Sequence, residues 1–304
     1  MPTIHAFITS ARRRLEHAGI ADVEAAVDAD VLARHALGGW ERGQLLACAR
    51  DDAPLGFAAA YEELVRRRER REPAAYIMGH REFWNLDIEV RPGVLVPRPE
   101  TEFVVEEALA RLTPGTADAA SSVRERDAAA GSRWPRVADV GTGSGCLAIA
   151  LARWLPHCQV VATDVSELAL ALAERNAARH DVAHRIRFVP TDLLDGIAGP
   201  FHAIVSNPPY VPTGDLLTLQ PEVRDYEPVG ALDGGPDGLD VIRRLVPAAA
   251  SCLTPGGWLL FEFSYGQVEA VRALVATEPR LRLESVRDDL AGIPRVAVAQ
   301  RRAG

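Results

Sequence analysis

The chain contains no lysine; all 34 of its cationic side chains are arginine. That absence removes Schiff-base chemistry, a pyridoxal anchor and a Walker-type phosphate loop, each of which needs the lysine amine. Cysteine is scarce too. Cys48, Cys146, Cys158 and Cys252 are scattered and form no C-x-x-C pair, which argues against a zinc site or a disulfide framework. The histidines lack metal-ligand spacing, so no metal is expected. No apolar stretch is long enough to cross a membrane, because Arg153 interrupts the most helical candidate. The start, Met-Pro-Thr-Ile-His and then an arginine-rich helix, carries no signal-peptide segment, and the cytoplasm is the expected location. Net charge is −8, which disfavours a broad nucleic-acid footprint without excluding a local basic patch.

The residues present suit two domains, since 304 residues exceed the usual span of one core. Helical spacing of apolar residues runs through Ile4 to Ala18 and Ala21 to Leu37, the latter ended by Gly38-Gly39, and Phe57 to Arg70 reads as another helix. These make a helical domain over residues 1–72. Residues 73–100 alternate through Phe83, Leu86, Ile88 and Val90 before Pro92-Gly93, as a connecting hairpin would. Residues 101–304 form the second domain, opening on a helix from Thr101 to Leu112 with Thr101 as its cap. The segment 113–136 lacks periodicity and reads as a mobile surface loop. Strands and helices then alternate, as in an open parallel sheet. Arg66 to Arg71 reads as a solvated basic helix end.

Chemistry concentrates at four places. The strand Val137 to Val140 runs into Gly141-Thr142-Gly143-Ser144-Gly145 and a helix, a turn that lets backbone approach a ligand or simply needs positive φ. The next strand ends in Asp164, suited to ribose hydroxyls or to capping the helix near Ser166. A third leads to Thr191-Asp192-Leu193, where Asp192 can accept from an adenine amine or start a turn. Leu193 can face the adenine or the core. The apolar strand Phe201 to Ser206 ends in Asn207-Pro208-Pro209-Tyr210. Two prolines stop the strand and stiffen the backbone beyond it. The Asn207 side-chain oxygen and the Pro208 carbonyl are acceptors for a flat NH2 group, and Tyr210 can cover its face. Cys146 reads as a small buried residue rather than a nucleophile.

The order of these motifs resembles S-adenosylmethionine-dependent methyltransferases that modify planar amines. Arg71 to Tyr76, Gly79 to Trp84, Val94 to Glu102, Tyr226-Glu227-Pro228, Ala231 to Gly235 and Asp237-Gly238-Leu239 narrow the resemblance to the release factor glutamine methyltransferases, the PrmC/HemK family. That resemblance implies a Rossmann-like class I methyltransferase domain, α/β with a mostly parallel seven-stranded sheet, behind a small N-terminal helical domain that helps hold the substrate. It implies S-adenosylmethionine as cofactor and, as partner, a class I peptide chain release factor methylated on the glutamine of its Gly-Gly-Gln loop. Stable nucleic-acid or membrane binding is not expected. Gly141, Thr142, Gly143, Ser144, Gly145, Asp164, Asp192, Leu193 and Asn207 would hold the cofactor; Asn207, Pro208, Pro209 and Tyr210 would carry catalysis. The family usually shows Glu-x-Gly where this chain has Glu262-Phe263-Ser264-Tyr265-Gly266-Gln267, and segment 113–136 is long. Neither departure is expected to touch the motifs that carry chemistry. Pro97 to Thr101 is expected to border the site or to form a rigid elbow.

An amide nitrogen is a poor nucleophile, but a sulfonium methyl is strongly electrophilic, so positioning and well-aimed acceptors should matter more than a general base. The rival readings are a glutamine methyltransferase of a ribosomal protein, a DNA or RNA adenine-N6 methyltransferase, and a non-catalytic module on the same fold.

Overall fold

The computed structural model describes residues 2–113 and 134–303, so the loop expected at 113–136 lies, apart from its ends, outside the described residues. The chain divides into two compact units, Met1–His80 with Gln220–Tyr226, and Arg81–Leu219 with Glu227–Gly304.

The first unit is helical. It comprises α1 (Ile4–His17), α2 (Asp22–Ala36), α3 (Arg42–Cys48), α4 (Phe57–Glu69) and α5 (Ala74–Met78). α1 starts where the Thr3 hydroxyl accepts the Ala6 N–H. α3 is not signalled by the sequence pattern. It is only two turns long, and its start is a reciprocal cap in which the Glu41 N–H donates to Gln44 Oε1 at 2.8 Å. The apolar faces of the helices meet in one core around Leu15, Leu32, Leu45, Phe57 and Tyr61. Each such fully buried side chain contributes about 1.5–3 kcal/mol. Tyr61 brings a hydroxyl into that core and donates it to the Ala29 carbonyl at 2.8 Å.

The arginine run at 66–71 is not the solvated helix end expected of it. Arg66 is exposed, but Arg68 is 1% exposed and reaches three carboxylates, Asp28 at 2.6 Å, Glu24 at 2.9 Å and Glu222 at 2.9 Å. Arg71 meets the other oxygen of Glu222. Glu222 lies on the short helix α9 (Pro221–Arg224), within the distant segment that joins this unit. A run of like charges reads as surface until the acids that face it arrive from elsewhere in the chain.

From Arg81 the second unit holds a hairpin of β1 (His80–Phe83) and β2 (Leu86–Glu89), turned by Trp84 and Asn85 at φ 51° and 56°. Helix α6 (Glu102–Leu112) comes next. A seven-stranded sheet is then built from β3 (Arg136–Val140), β4 (Gln159–Asp164), β5 (Ile186–Pro190), β6 (Phe201–Ser206), β7 (Leu253–Glu262), β8 (Leu281–Asp288) and β9 (Pro294–Arg301). The connecting helices are α7 (Cys146–Trp154), α8 (Glu167–Arg179), α10 (Asp240–Cys252) and α11 (Val268–Ala276). The order is β5-β4-β3-β6-β7-β9-β8. The first five are parallel and β9 runs antiparallel to both neighbours. This is the doubly wound, mostly parallel sheet implied by the resemblance. β3 is paired on both sides and flanked by α7, so it reads as a nearly continuous apolar run. The chain order reverses between β3 and β6, and such a switch point opens a crevice at the carboxyl ends of the strands.

Removing Arg68 would leave three acids around a vacated buried position. Arg68→Ala is expected to cost about 3–5 kcal/mol of stability. Urea unfolding followed by circular dichroism checks this, and a midpoint equal to wild type would show that the cluster contributes nothing.

Candidate active site

The glycine turn hangs from the end of β4. The N–H groups of Gly141 and Thr142 both donate to the Thr163 carbonyl at 2.9 Å, and the Gly143 N–H donates to Asp164 Oδ2 at 2.9 Å. Gly141, Gly143 and Gly145 have φ of 73°, 55° and 84°, a region L side chains rarely adopt. Side chains at Gly141 and Gly143 would project into open space, so their absence shapes the cradle. Asp164 does not itself cap α8. Ser166 does, accepting the Ala169 N–H, while Asp164 Oδ1 accepts the Ser166 N–H at 2.9 Å. The carboxylate is therefore fixed from both sides by backbone, with lone pairs left for a ligand.

Two supports of this turn are not singled out by the sequence. Asn176 on α8 is fully buried and donates to the Ser144 carbonyl at 2.9 Å and the Glu89 carbonyl at 3.0 Å, while accepting from the Glu89 N–H. Asp139, the one acid in β3, accepts from the Thr142 hydroxyl at 2.6 Å and the Ala148 N–H at 3.0 Å. Its other oxygen has no hydrogen-bond partner. Burial pushes its pKa up to about 7. An acid inside an apolar strand was the available signal for Asp139. Nothing local distinguishes Asn176.

Val140 and Ser206 are register partners at the ends of β3 and β6, and the Ser206 hydroxyl donates to the Val140 carbonyl at 2.7 Å. Asn207 comes immediately after. Its Nδ2 donates to Thr101 Oγ1 at 2.9 Å. Thr101 in turn donates to Glu262 Oε2 at 2.7 Å, and the Tyr210 hydroxyl donates to Glu262 Oε1 at 2.7 Å. One expectation fails here. Thr101 makes no capping bond to α6, because a 3-10 turn over Pro99–Thr101 precedes the helix and its hydroxyl is committed to Glu262. What reaches the chemical motif from this stretch is Glu262, the glutamate shared with the family's Glu-x-Gly, whereas the departing Ser264 donates its N–H to Gln267 Oε1 at 2.8 Å. Besides Glu262, the Gln267 amide donates to the carbonyls of Tyr210 at 3.0 Å and Asp237 at 3.1 Å. Glu262 is 1% exposed and its pKa is raised by burial, against the opposing pull of the two hydroxyls.

The later motifs hold the same segment. Val211 pairs with Asp233, and the Thr213 hydroxyl donates to Asp233 at 2.7 Å. At Gly238, φ is 77°, and a Cβ would collide with the Tyr210 carbonyl and the Gln267 amide. Only glycine lets the two backbones approach.

A cavity of about 290 Å³ collects these pieces. Gly141, Thr142, Gly143, Ser144, Asp164, Asp192, Leu193, Asn207, Pro208 and Pro209 line it; Gly145 and Tyr210 do not. Pro97 and Thr101 border it, while Arg98 turns away to Glu227 at 2.7 Å. Asp192 pairs with Arg244 at 2.5 Å on the rim. Leu193 lines the cavity and also packs on the core, its carbonyl taken by the Thr163 hydroxyl at 2.8 Å. Cys146 is buried, its pKa pushed up to about 12, and behaves as an apolar side chain. Among the described residues no cluster suits a metal and no helix is long and apolar enough to cross a membrane. A side-chain-free cradle beside a backbone-fixed carboxylate and an apolar wall fits S-adenosylmethionine.

Comparisons with known proteins agree. The Methyltransferase small domain family matches residues 118–218, and the PrmC N-terminal domain family matches residues 6–79. The release factor glutamine methyltransferase of Geobacter sulfurreducens is 50% identical over 223 residues, covering 72% of this chain and 71% of that one. That of Moorella thermoacetica is 38% identical over 305 residues, covering 99% of each. Among solved structures, the 16S rRNA N2 G1207 methyltransferase of T. Thermophilus, in complex with AdoMet and guanosine, has a TM-score of 0.51 at 19% identity, covering 73% of this chain and 50% of that one. The hMettl16 catalytic domain bound to an RNA hairpin has 0.54 at 16%, covering 75% and 81%. These two likenesses establish the fold.

The protein is thus an S-adenosylmethionine-dependent methyltransferase. Within that class the chain belongs to the release factor glutamine methyltransferase family.

Two outcomes check the site's construction. Gly238→Ala should cost at least about 1–2 kcal/mol from the left-handed backbone alone, and more from the collision, with turnover falling alongside. Unchanged melting and turnover would show that the approach is not required. Asp139 provides a pH test. Its folded pKa of about 7 lies above the unfolded value, so the folded state holds the extra proton. Its contribution is therefore greatest at acid pH and declines as pH rises from about 4 to 7, by up to ~1.4 kcal/mol per unit. Asp139→Asn should lose less stability than wild type between pH 5 and 7.5, measured by urea midpoints; parallel losses would refute the raised pKa.

Proposed function

We propose that the chain methylates the side-chain amide nitrogen of the glutamine in the Gly-Gly-Gln loop of class I peptide chain release factors, in the cytoplasm, in support of translation termination. The observation that carries this is the orientation of Asn207. Its NH2 is committed to Thr101, which leaves Oδ1 as the acceptor at a cavity edge that Asn207 shares with Pro208. A glutamine amide offers the matching donors and no charge.

The residues that would hold S-adenosylmethionine are the turn from Gly141 to Gly145, with Asp164, Asp192, Leu193 and Asn207. When bound, the cofactor supplies an electrophilic methyl group. The chain's own contribution is placement. Asn207 Oδ1 and the Pro208 carbonyl accept from the substrate NH2, fixing its plane and stabilising positive charge that develops on nitrogen. Pro208 and Pro209 hold those acceptors still. Tyr210, tied to Glu262 through its hydroxyl, holds the end of the segment in place. Fixing both partners in line contributes on the order of 7–11 kcal/mol in well-oriented reactions. No lysine or histidine is needed as base, because the amide proton can leave after the methyl has moved. No stable nucleic-acid binding belongs to this reading, and the acidic balance of the chain supports that.

Asn207→Ala should lower kcat by about 10²–10³ while S-adenosylmethionine binding partly survives. The decisive assay supplies labelled cofactor with a release factor, the same factor with its loop glutamine changed to alanine, a ribosomal protein and duplex DNA. Label should enter the intact release factor alone. Label in DNA or the ribosomal protein instead, or full turnover in Asn207→Ala, would reject the proposal.

A further inference from the structure

The Asn207 amide can present either its oxygen or its NH2 to the cavity, and the two ends are nearly identical in shape. Only the oxygen serves an incoming NH2 group, so something must choose. The choice is made two bonds away. Glu262 is buried and, when ionised, accepts only. Thr101 is 1% exposed and has one hydroxyl proton, which it donates to Glu262 at 2.7 Å. Its oxygen is thereby left as an acceptor at 2.9 Å from Asn207 Nδ2. The Tyr210 hydroxyl donates to the other carboxylate oxygen at 2.7 Å, so each oxygen of Glu262 holds one hydroxyl donor.

We propose that Glu262 and Thr101 are positioning residues whose one-way hydrogen-bond chain, Asn207 to Thr101 to Glu262, fixes the Asn207 amide with its oxygen toward the substrate and thereby selects a neutral NH2 donor. The inference rests on the reading that Asn207 grips such a group. It assigns a function to Glu262, which the sequence alone does not single out as a site residue.

The chain of bonds is reversible by one proton. If Glu262 is protonated, it donates to Thr101, Thr101 donates to Asn207, and the amide turns its NH2 into the cavity, where it opposes the substrate's own donors. The surroundings bear on that proton from several elements. Thr101 and Tyr210 hold it off, Arg295 on β9 helps, and Glu100 opposes. Burial raises the Glu262 pKa, so kcat should fall on an acid limb as pH drops through that raised value.

Glu262→Gln is a near-isosteric copy of the protonated form. Its Nε2 would donate to Thr101 while its oxygen keeps the Tyr210 bond. It should lose about 10²-fold in kcat, keep its S-adenosylmethionine affinity in titration calorimetry, and lack the acid limb. Thr101→Val should fall similarly, and Thr101→Ser should recover most of that loss. A readout independent of activity comes from the scarcity of asparagine: Asn85, Asn176 and Asn207 are the only three. With 15N-asparagine labelling, the Asn207 side-chain pair, identified by its loss in Asn207→Ala, should show one exchange-protected proton in wild type and Thr101→Ser, and none in Thr101→Val or Glu262→Gln.

Unchanged Asn207 signals in Glu262→Gln would overturn the relay, whatever happens to turnover, because a merely structural role leaves the amide orientation alone. Turnover within about threefold of wild type in both Glu262→Gln and Thr101→Val would overturn it as well. If Asn207→Ala is inactive but the signals never move, the proposed function stands and the relay falls. If the signals move as expected but no release factor is methylated, the relay stands and the proposed function falls.

Discussion

The pairing of Val140 with Ser206 is the constraint on which the rest of the site depends. It is a parallel register contact between the two central strands at the point where the chain order reverses. Parallel strands carry their carboxyl ends to one edge of the sheet, and the reversal leaves a gap there that no crossover helix fills. A slip of one residue would exchange the faces of β6. Ser206 would then lose the Val140 carbonyl, and Asn207 would leave the reach of Thr101. The bond from Ser206 to Val140 pins that register at its tip.

Around this edge the protein places three carboxylates, Asp139 and Glu262 fully buried and Asp164 partly so, and ties each to groups of the site. Asp164 divides its oxygens between Gly143 and Ser166, so it holds the glycine turn and the start of α8 together. Asp139 braces the turn from beneath through Thr142 and Ala148. Glu262 takes one hydroxyl on each oxygen. Burying a carboxylate is costly unless it is hydrogen-bonded, and four of these bonds, to Gly143, Ser166, Thr142 and Thr101, also orient groups that line the cavity. The exclusive use of arginine has a counterpart in the helical unit. The planar fork of Arg68 reaches Asp28, Glu24 and Glu222 from one buried position, a geometry the point charge of a lysine does not reproduce.

Much of the fold is legible in the sequence because its signals are local. The apolar strand Phe201–Ser206 ending at two prolines, the glycine turn after Val140 and the alternation through Phe83, Leu86 and Ile88 appear where periodicity and turn chemistry put them. The two-turn helix α3 is not legible, since seven residues give too short a period. The site is legible as a set of cavity-lining groups but not as a mechanism of support. In the linear text Glu262 is one residue of a stretch whose Glu-x-Gly pattern breaks at Ser264, Thr101 reads as a helix cap and Arg68 as part of a solvated run. Each has a partner far along the chain, 161 residues away for Thr101 with Glu262 and 154 for Arg68 with Glu222.

By itself, then, the sequence determined most of the elements and most of the groups that line the cavity, because those depend on short-range pattern and on the chemistry of single side chains. The tertiary structure alone decided which way Asn207 faces, what braces the glycine turn and which charges are buried. Those outcomes depend on which donor meets which acceptor after the chain has folded, and hydrogen-bond direction has no signature in the order of residues.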